Sequence, residues 1–242
     1  MVEVTTLKIP ILVNGSTDHI FPALIKTSNS LILFDAGYPD QIDAFRLEME
    51  RIGYTLSDLT HVVISHQHHD HIGSLAALKR EHKHITIMAS SLEEPFISGK
   101  QESLRVQQAR EYNKSLEGEA KKWGEGFLQY LMTIEPCSID EAVDDFPYFM
   151  DEEIEIVPTP GHTPGHISIY IRDQKILLAG DAIAYENGEL VIANPQFTLD
   201  MSACKKSIRE LAHLDIDILI CYHGGSIDVK DDKIRAFADR IA

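Results

Sequence analysis

The sequence predicts an α+β fold in which two β-sheets pack face to face and helices cover their outer surfaces. Each half of the chain contains short strands rich in Ile, Leu and Val followed by a helix, and this repeated order suits two similar layers. The 242 residues are 44% hydrophobic and 25% charged, which is ordinary globular usage and enough length to bury a sizeable core. We therefore expect a single domain over 1–242.

The first half is predicted to open as a β-meander. Turn residues such as the Asn-Gly-Ser of 14–16 separate its apolar runs. These runs are TLKIPILVN (6–14), HIFPALIKT (19–27) and SLILFDAG (30–37). A helix is expected over 41–52 with Gly53 at its C-terminal cap, and the strand HVVIS follows at 61–65.

The middle of the chain changes character. A short helix is expected at 75–81 and a strand at 84–90, and residues from about 92 to 147 are then rich in helix formers. Four apolar residues in this stretch share the spacing of one helix face: Trp123, Phe127, Tyr130 and Leu131. We interpret 92–147 as a helical insertion that could overhang a site as a lid; simple packing of the apolar face is the alternative.

The second half returns to strands. Apolar runs bounded by turn residues predict them at 153–161, 166–173, 175–182, 189–194 and 217–225. An amphipathic helix is expected over 204–214.

Charge and cysteine content exclude several classes of function. The chain has 38 acidic and 22 basic residues, and a net charge of −16 repels phosphate backbones and anionic membranes, so we expect neither as a partner. The N-terminal stretch has no signal-peptide pattern and no run is long enough to span a membrane, so a cytoplasmic location is expected. The three cysteines form no CxxC pair, which argues against a thiolate zinc site.

The stretch VVISHQHHDHIGS (62–74) places a group of ligand-type side chains directly after an apolar strand. In an extended or loosely turned segment, alternate side chains point the same way, so His66 and His68 can reach one ion while Asp70 and His71 turn toward another. A metal site on such a scaffold collects ligands from several strand ends. His162, Asp181 and His223 each follow an apolar run and meet this requirement.

The chain resembles the metallo-β-lactamase superfamily, whose HxHxDH signature matches residues 66–71 without substitution. The resemblance implies a four-layer αββα sandwich with the active site at one edge of the sheets, and Asp35 as a structural aspartate near that site. It implies a first metal on His66, His68 and His162, a second on Asp70, His71 and His223, and Asp181 bridging the two ions.

Two divalent ions held in this way imply hydrolysis. We predict zinc, with iron or manganese left open by a ligand set of imidazole and carboxylate. The bridging hydroxide is expected to attack the carbonyl of a small ester, lactone or thioester, and Asp70 to orient it and carry a proton to the leaving group. Tyr185 is a candidate for stabilising the oxyanion, although similar lactone-opening enzymes place a tyrosine one position earlier, where this chain has Ala184.

Several alternatives remain at this stage. A small-metabolite phosphoester hydrolase would use the same two ions, and a one-iron persulfide dioxygenase would need fewer ligands. A hydroxyacylglutathione hydrolase is disfavoured because that family binds its thiol cofactor with a helical C-terminal domain. Only 19 residues follow His223 here, too few for such a domain. His166 is expected to support the site through a hydrogen bond without binding metal, and His69 to be exposed. A homodimer formed through the insertion is left open.

Overall fold

A computed structural model describes residues 2–13, 15–145 and 153–241. The strands of the first half are β1 (Glu3–Thr6), β2 (Ile9–Val13), β3 (Ser16–Ile20), β4 (Ala23–Lys26), β5 (Leu31–Phe34), β6 (His61–Ile64), β7 (Thr86–Ala89) and β8 (Glu141–Ala142). Six of them form a mixed sheet in the order β1-β4-β5-β6-β7-β8, in which β5 to β8 are parallel. The hairpin of β2 and β3 stands apart from this sheet.

The second half carries a five-stranded sheet. Its strands and those of a small hairpin are β9 (Ile154–Pro158), β10 (Ile167–Ile171), β11 (Ile176–Leu178), β12 (Ala184–Glu186), β13 (Glu189–Val191), β14 (Ile218–Cys221) and β15 (Gly225–Asp228). The sheet order is β15-β14-β11-β10-β9, and β12 pairs with β13 separately. Because β14 is parallel to β11, and β9 and β11 are both antiparallel to β10, the carboxyl ends of β9, β11 and β14 meet at one edge.

Helices cover the outer face of each sheet. They are α1 (Ile42–Arg51), α2 (His69–Ile72), α3 (Leu75–Glu81), α4 (Glu94–Ile97), α5 (Leu104–Asn113), α6 (Gly118–Leu131), α7 (Met201–Leu211) and α8 (Lys233–Arg240). Apolar side chains of α1 and α3 pack on the first sheet, and those of α7 and α8 pack on the second. A third apolar cluster joins the two sheets, with Ile32 and Val63 on one side and Ile169 and Ile220 on the other. The predicted αββα arrangement is therefore confirmed.

Some element boundaries differ from the sequence prediction. The helices of the insertion end at Leu131, and the chain has rejoined the first sheet as β8 by Glu141; residues 146–147 of the predicted insertion lie outside the described residues. Helix α7 begins three positions before the predicted start at 204, because the Asp200 carboxylate caps it by accepting a hydrogen bond from the Ala203 amide at 2.9 Å. Strands β12 and β15 and helix α8 are not predicted by the sequence pattern.

Candidate metal centre

The predicted ligand residues lie just beyond strand ends. His66 follows β6 of the first sheet, whereas His162, Asp181 and His223 follow β9, β11 and β14 of the second. The segment after β6 bends at Ser65 and Gln67, and the single helical turn of α2 starts directly after His68, so Asp70 and His71 are directed differently from His66 and His68. The tertiary structure thus brings loops from both sheets to one place.

The seven predicted ligands form three overlapping groups. Within each group the ligand atoms lie within 4.8 Å of one another. The groups are His66, His68 and His162; Asp70, His71 and His223; and His66, His71 and Asp181. The first two groups have the membership expected for two separate ions, and the third joins them.

Asp181 lies between the two sets of histidines. Its Oδ2 is 3.3 Å from His162 Nε2, and its Oδ1 is 3.4 Å from His71 Nε2 and 3.6 Å from His223 Nε2. The two oxygens of one carboxylate therefore face different groups. This arrangement suits a ligand shared by two ions.

Several of these buried atoms have no hydrogen-bond partner among the described residues. They are His66 Nε2, His71 Nε2, Asp181 Oδ1 and His223 Nε2. Buried polar atoms in folded proteins are nearly always paired, so a convergent set of unpaired ones needs a ligand to satisfy it. Imidazole nitrogens and carboxylate oxygens without thiolate suit a divalent ion such as zinc, iron or manganese. The residues present fit the group that the motif implies.

Asp35 and Ser65 hold the first part of the cluster in position. Asp35 Oδ2 is 2.8 Å from His71 Nδ1, and a proton on that nitrogen leaves Nε2 free to face the site. The same carboxylate accepts hydrogen bonds from the Ser65 amide and hydroxyl, each at 2.8 Å, and Ser65 Oγ lies 2.9 Å from His66 Nδ1. Asp35 is fully buried and has a left-handed φ of 69°, so the backbone is bent to bring its carboxylate here.

His166 holds Asp181 in position. Its Nε2 accepts a hydrogen bond from the Asp181 amide at 2.9 Å, and its Nδ1 lies 2.8 Å from Thr159 Oγ1. Gly180 is required beside it, because a Cβ at this position would come within 2.8 Å of His166 Nε2 and the φ of 54° also favours glycine. The prediction that His166 makes a supporting hydrogen bond is confirmed.

The site attracts positive charge. Burial lowers the pKa of His66, His68 and His162, which keeps these rings neutral and able to offer a lone pair. Burial opposes protonation of His71 as well, but Asp35, Asp181 and Asp70 outweigh it and raise the pKa of His71 well above its usual value. Despite burial, the surrounding histidines hold the pKa of the Asp70 and Asp181 carboxyls well below their usual value. The carboxylates are therefore ionised and available to cations.

Two predicted side chains lie differently from expectation. The sequence predicts an exposed His69, but its side chain is only 14% exposed because rings of the insertion, Phe127 and Tyr130, pack against it at centroid distances of 5.7 Å. The Tyr185 side chain packs with the outer core, in a cleft that Phe237 also lines, and makes no described contact with the ligand side chains. The geometry gives the catalytic role of Tyr185 no support.

Two residues, Glu93 and Tyr222, support the site from distant parts of the chain. Glu93 is fully buried, and its carboxylate accepts hydrogen bonds from the Gln67 amide at 3.0 Å and from the Gly165 amide at 2.7 Å. It therefore ties the loop of His66 and His68 to the loop of His162. Tyr222 packs its ring 4.0 Å from that of His71 and donates a hydrogen bond to the Asp70 carbonyl. These contacts join distant segments, so no local spacing could predict them.

Comparison with known proteins identifies the family. The family model described as the metallo-beta-lactamase superfamily matches residues 18–223, which include all seven candidate ligands. The chain belongs to this superfamily. None of the helices in the described parts of the chain combines the length and the apolar character that a membrane crossing requires.

Individual relatives agree with this assignment. The chain is 30% identical over 227 residues to the probable metallo-hydrolase YflN of Bacillus subtilis, an alignment that covers 88% of this chain and 83% of that protein. It is 27% identical over 137 residues to an N-acyl homoserine lactonase of a Bacillus species, with 55% of this chain and 42% of that protein covered. Among solved structures, the metallo-beta-lactamase family protein TTHA1429 of Thermus thermophilus superposes with a TM-score of 0.68 at 18% identity, covering 98% and 77% of the two chains. This last likeness shows the fold.

Proposed function

We propose that this protein is a hydrolase that uses two divalent metal ions to cleave a small ester, lactone or thioester. The observation that carries the proposal is the pair of three-residue groups, one of them all histidine, joined by the two oxygens of Asp181. Three protein ligands on an ion leave coordination positions open, which is typical of catalytic rather than structural sites. Zinc is the metal we favour, and iron or manganese would suit the same ligands.

Each ion would be held by its own group of residues. His66, His68 and His162 would hold one ion, Asp70, His71 and His223 the other, and Asp181 both. Bound ions would lower the pKa of water toward about 7 and polarise a carbonyl oxygen, which makes hydroxide available for attack at neutral pH. Proton transfer would then fall to this chain's own carboxylates.

Asp70 is the residue that we assign to proton transfer. Its Oδ2 lies 3.3 Å from His223 Nε2, on the side of the ligand cluster, whereas its Oδ1 lies 3.5 Å from His69 Nδ1. The Oδ1 atom could therefore take up the proton that the attacking hydroxide gives up and pass it to the leaving oxygen or sulfur, while Oδ2 keeps its place among the ligands. His223 is the most exposed of the seven, with 20% of its side chain accessible, and marks the side from which substrate can approach.

The acyl preference has two supports. The distant similarity to an N-acyl homoserine lactonase is one. The other is the apolar surface of the insertion beside the ligand cluster, where Phe127 and Tyr130 contact His69. An apolar wall with few convergent polar groups is typical of sites for small organic substrates.

Proton release on a pH-stat tests the proposal. Protein loaded with zinc or manganese is given simple lactones, acyl thioesters and phosphodiesters in parallel, and bound metal is counted at the same time. The expected result is acid release from lactones or thioesters by protein that holds two ions per chain. Asp181→Asn is expected to lose both the acid release and the bound metal. Acid from phosphodiesters alone would replace the acyl substrate by a phosphoester. A single iron with oxygen uptake and no acid would replace hydrolysis by oxidation.

A further inference from the structure

Arg105 is a buried cation that has no carboxylate of the described residues within ion-pair distance. It lies in the first turn of α5 and is only 5% exposed. Its Nη1 donates a hydrogen bond to Gln108 Oε1 at 3.0 Å, and its guanidinium lies 3.7 Å from the ring centre of Phe197 and 5.2 Å from that of Phe127. Burying a charge without an opposite charge is unfavourable, so such a group calls for an explanation.

A second arginine of the same helix shows the ordinary arrangement. Arg110 is exposed and its Nη2 donates to Glu102 Oε1 at 2.7 Å. Arg105 instead has aromatic rings around it, which fix the plane of the guanidinium and leave its Nε and Nη2 edge without a described hydrogen bond. That edge has the planar, two-donor geometry that a carboxylate accepts.

Arg105 is also fixed next to the metal centre. The amide of the preceding residue, Leu104, donates to Gln67 Oε1 at 2.7 Å, and Gln67 stands between two candidate ligands in the sequence. Phe127 touches both Arg105 and His69. Burial lowers the pKa of Arg105 to about 10, partly offset by Asp70, so the guanidinium remains charged at neutral pH.

Arg105 lines a cavity that can hold a small organic molecule. This cavity has a volume of about 300 Å³, within the range of small-ligand sites. Its aromatic lining consists of Tyr112, Trp123, Phe127 and Phe197. A ligand that fills it would place an apolar group against these rings and an anionic group against Arg105.

We propose that Arg105 binds a carboxylate of the substrate and so selects acyl compounds that carry a free carboxylate beside an alkyl or aromatic part. That the bound molecule is a substrate rests on the proposed hydrolytic function, but the binding site itself can be tested without turnover. The protein has an overall charge of −16, so an anion would be repelled at long range, and a local buried cation is the means of selecting one.

The fluorescence of Trp123 tests the binding site directly, because it is the only tryptophan of the chain and lines the cavity. Metal-loaded protein is titrated with octanoate and with octanol, which share the apolar chain and differ in charge. Octanoate is expected to bind about tenfold or more tightly than octanol, the usual contribution of a hydrogen bond to a charged group. Equal affinity for the two would overturn the proposal, and tighter binding of octyl phosphate than of octanoate would assign a phosphate instead.

Matched variants separate Arg105 from the metal ions, which can also bind a carboxylate. Arg105→Gln is expected to lose the preference for octanoate over octanol, and Arg105→Lys, which keeps the charge and serves if the first variant fails to fold, to lose part of it. Arg110→Gln, on the exposed side of the same helix, is expected to retain it. An octanoate affinity that Arg105→Gln leaves unchanged would show that the anion sits on the metals and would overturn the assignment.

Turnover extends the test to specificity. Two thioesters of one acyl chain are compared, one ending in a free carboxylate and the other in its methyl ester. Arg105→Gln is expected to lower kcat/KM about tenfold for the first and little for the second. Equal losses for both would overturn the selective role. Absence of hydrolysis of either, with the fluorescence preference intact, would instead overturn the proposed hydrolase function and leave the anion site in place.

Discussion

The cluster of candidate metal ligands and the insertion that contacts it are held in different ways. In the cluster, His71 is backed by Asp35, Asp181 by His166, and the ligand loops by Glu93, all of them buried and hydrogen-bonded. The insertion has only a small apolar core of its own, around Val106, Ala109 and Leu131, and leaves Trp123 69% exposed.

This difference separates two tasks. Ligands must hold their positions closely, and buried hydrogen bonds with defined directions provide that. A surface that receives a substrate needs shape and apolar area, which side-chain packing provides and which tolerates change more easily. Substitutions in the cluster should therefore affect metal content and rate, and those in the insertion should affect substrate binding.

The largest effect is expected from Asp181→Asn. The substitution removes the charge from the one carboxylate that faces both groups, so metal occupancy should fall and kcat should drop by more than about a hundredfold, because even supporting partners of ligands contribute 10–100-fold. Bound metal and kcat are measured together. The exposed Asp173→Asn is the control, and full metal content with unchanged kcat in Asp181→Asn would contradict the comparison.

Asp35→Asn should have the next effect. Asparagine tolerates the left-handed φ of 69° at this position, so the backbone can stay in place while the charge that orients His71 is removed. We expect metal affinity to fall about 10–100-fold with little change in substrate KM. Competition with a chelator measures the affinity. A wild-type affinity would mean that Ser65 and packing alone hold His71.

Phe127→Ala probes the insertion. The ring stacks on Trp123 at a centroid distance of 5.5 Å and also contacts His69 and Arg105, so its removal opens the wall of the cavity. KM for an acyl substrate should rise about tenfold while kcat and metal content change little, the pattern of a lost binding contact. Leu47→Ala, an exposed residue of α1, is the control. Loss of metal in Phe127→Ala would show that the insertion and the cluster are not separate.

The smallest effect, on the free energy of unfolding, is expected at Asp140, where the insertion returns to the first sheet. The Asp140 carboxylate accepts hydrogen bonds from the Ile87 amide at 2.8 Å and from Lys79 Nζ at 2.9 Å, and although burial opposes ionisation, these donors hold its pKa below its ordinary value of 3.8. Its ionised form therefore stabilises the fold above that value, and this stabilisation is lost as the pH falls through the lower, folded-state pKa.

Asp140→Asn tests this contact. Because the side chain is 39% exposed and solvent screens the charge, we expect the free energy of unfolding to fall by no more than about 1 kcal/mol at neutral pH. Urea unfolding of the wild type and the variant across the acid range measures the difference, which should shrink as the pH falls. A difference that grows on acidification would mean that the folded state raises the pKa of Asp140.

Local patterns predicted much of the fold. Helix α3 has its predicted bounds, Leu75–Glu81, because the spacing of its apolar residues and the residues that flank it are all local in the sequence. The predicted start of α7 was wrong because the cap Asp200 stands before the apolar face begins. Tyr185 depends on its surroundings: it is the neighbour of Ala184 in β12, where successive side chains point to opposite faces, and its side chain packs with the outer core.

By itself, the sequence determined the layered fold and the identity of the candidate ligands, because strand periodicity and the HxHxDH spacing are local and survive without knowledge of the rest of the chain. Only the tertiary structure decided which residues support and surround them. Glu93 and Gly165 are 72 positions apart, and Arg105 meets Phe197 across an even longer stretch of chain. Burial and pairing of this kind depend on how the two sheets and the insertion pack together, and no local spacing in the sequence predicts these long-range contacts.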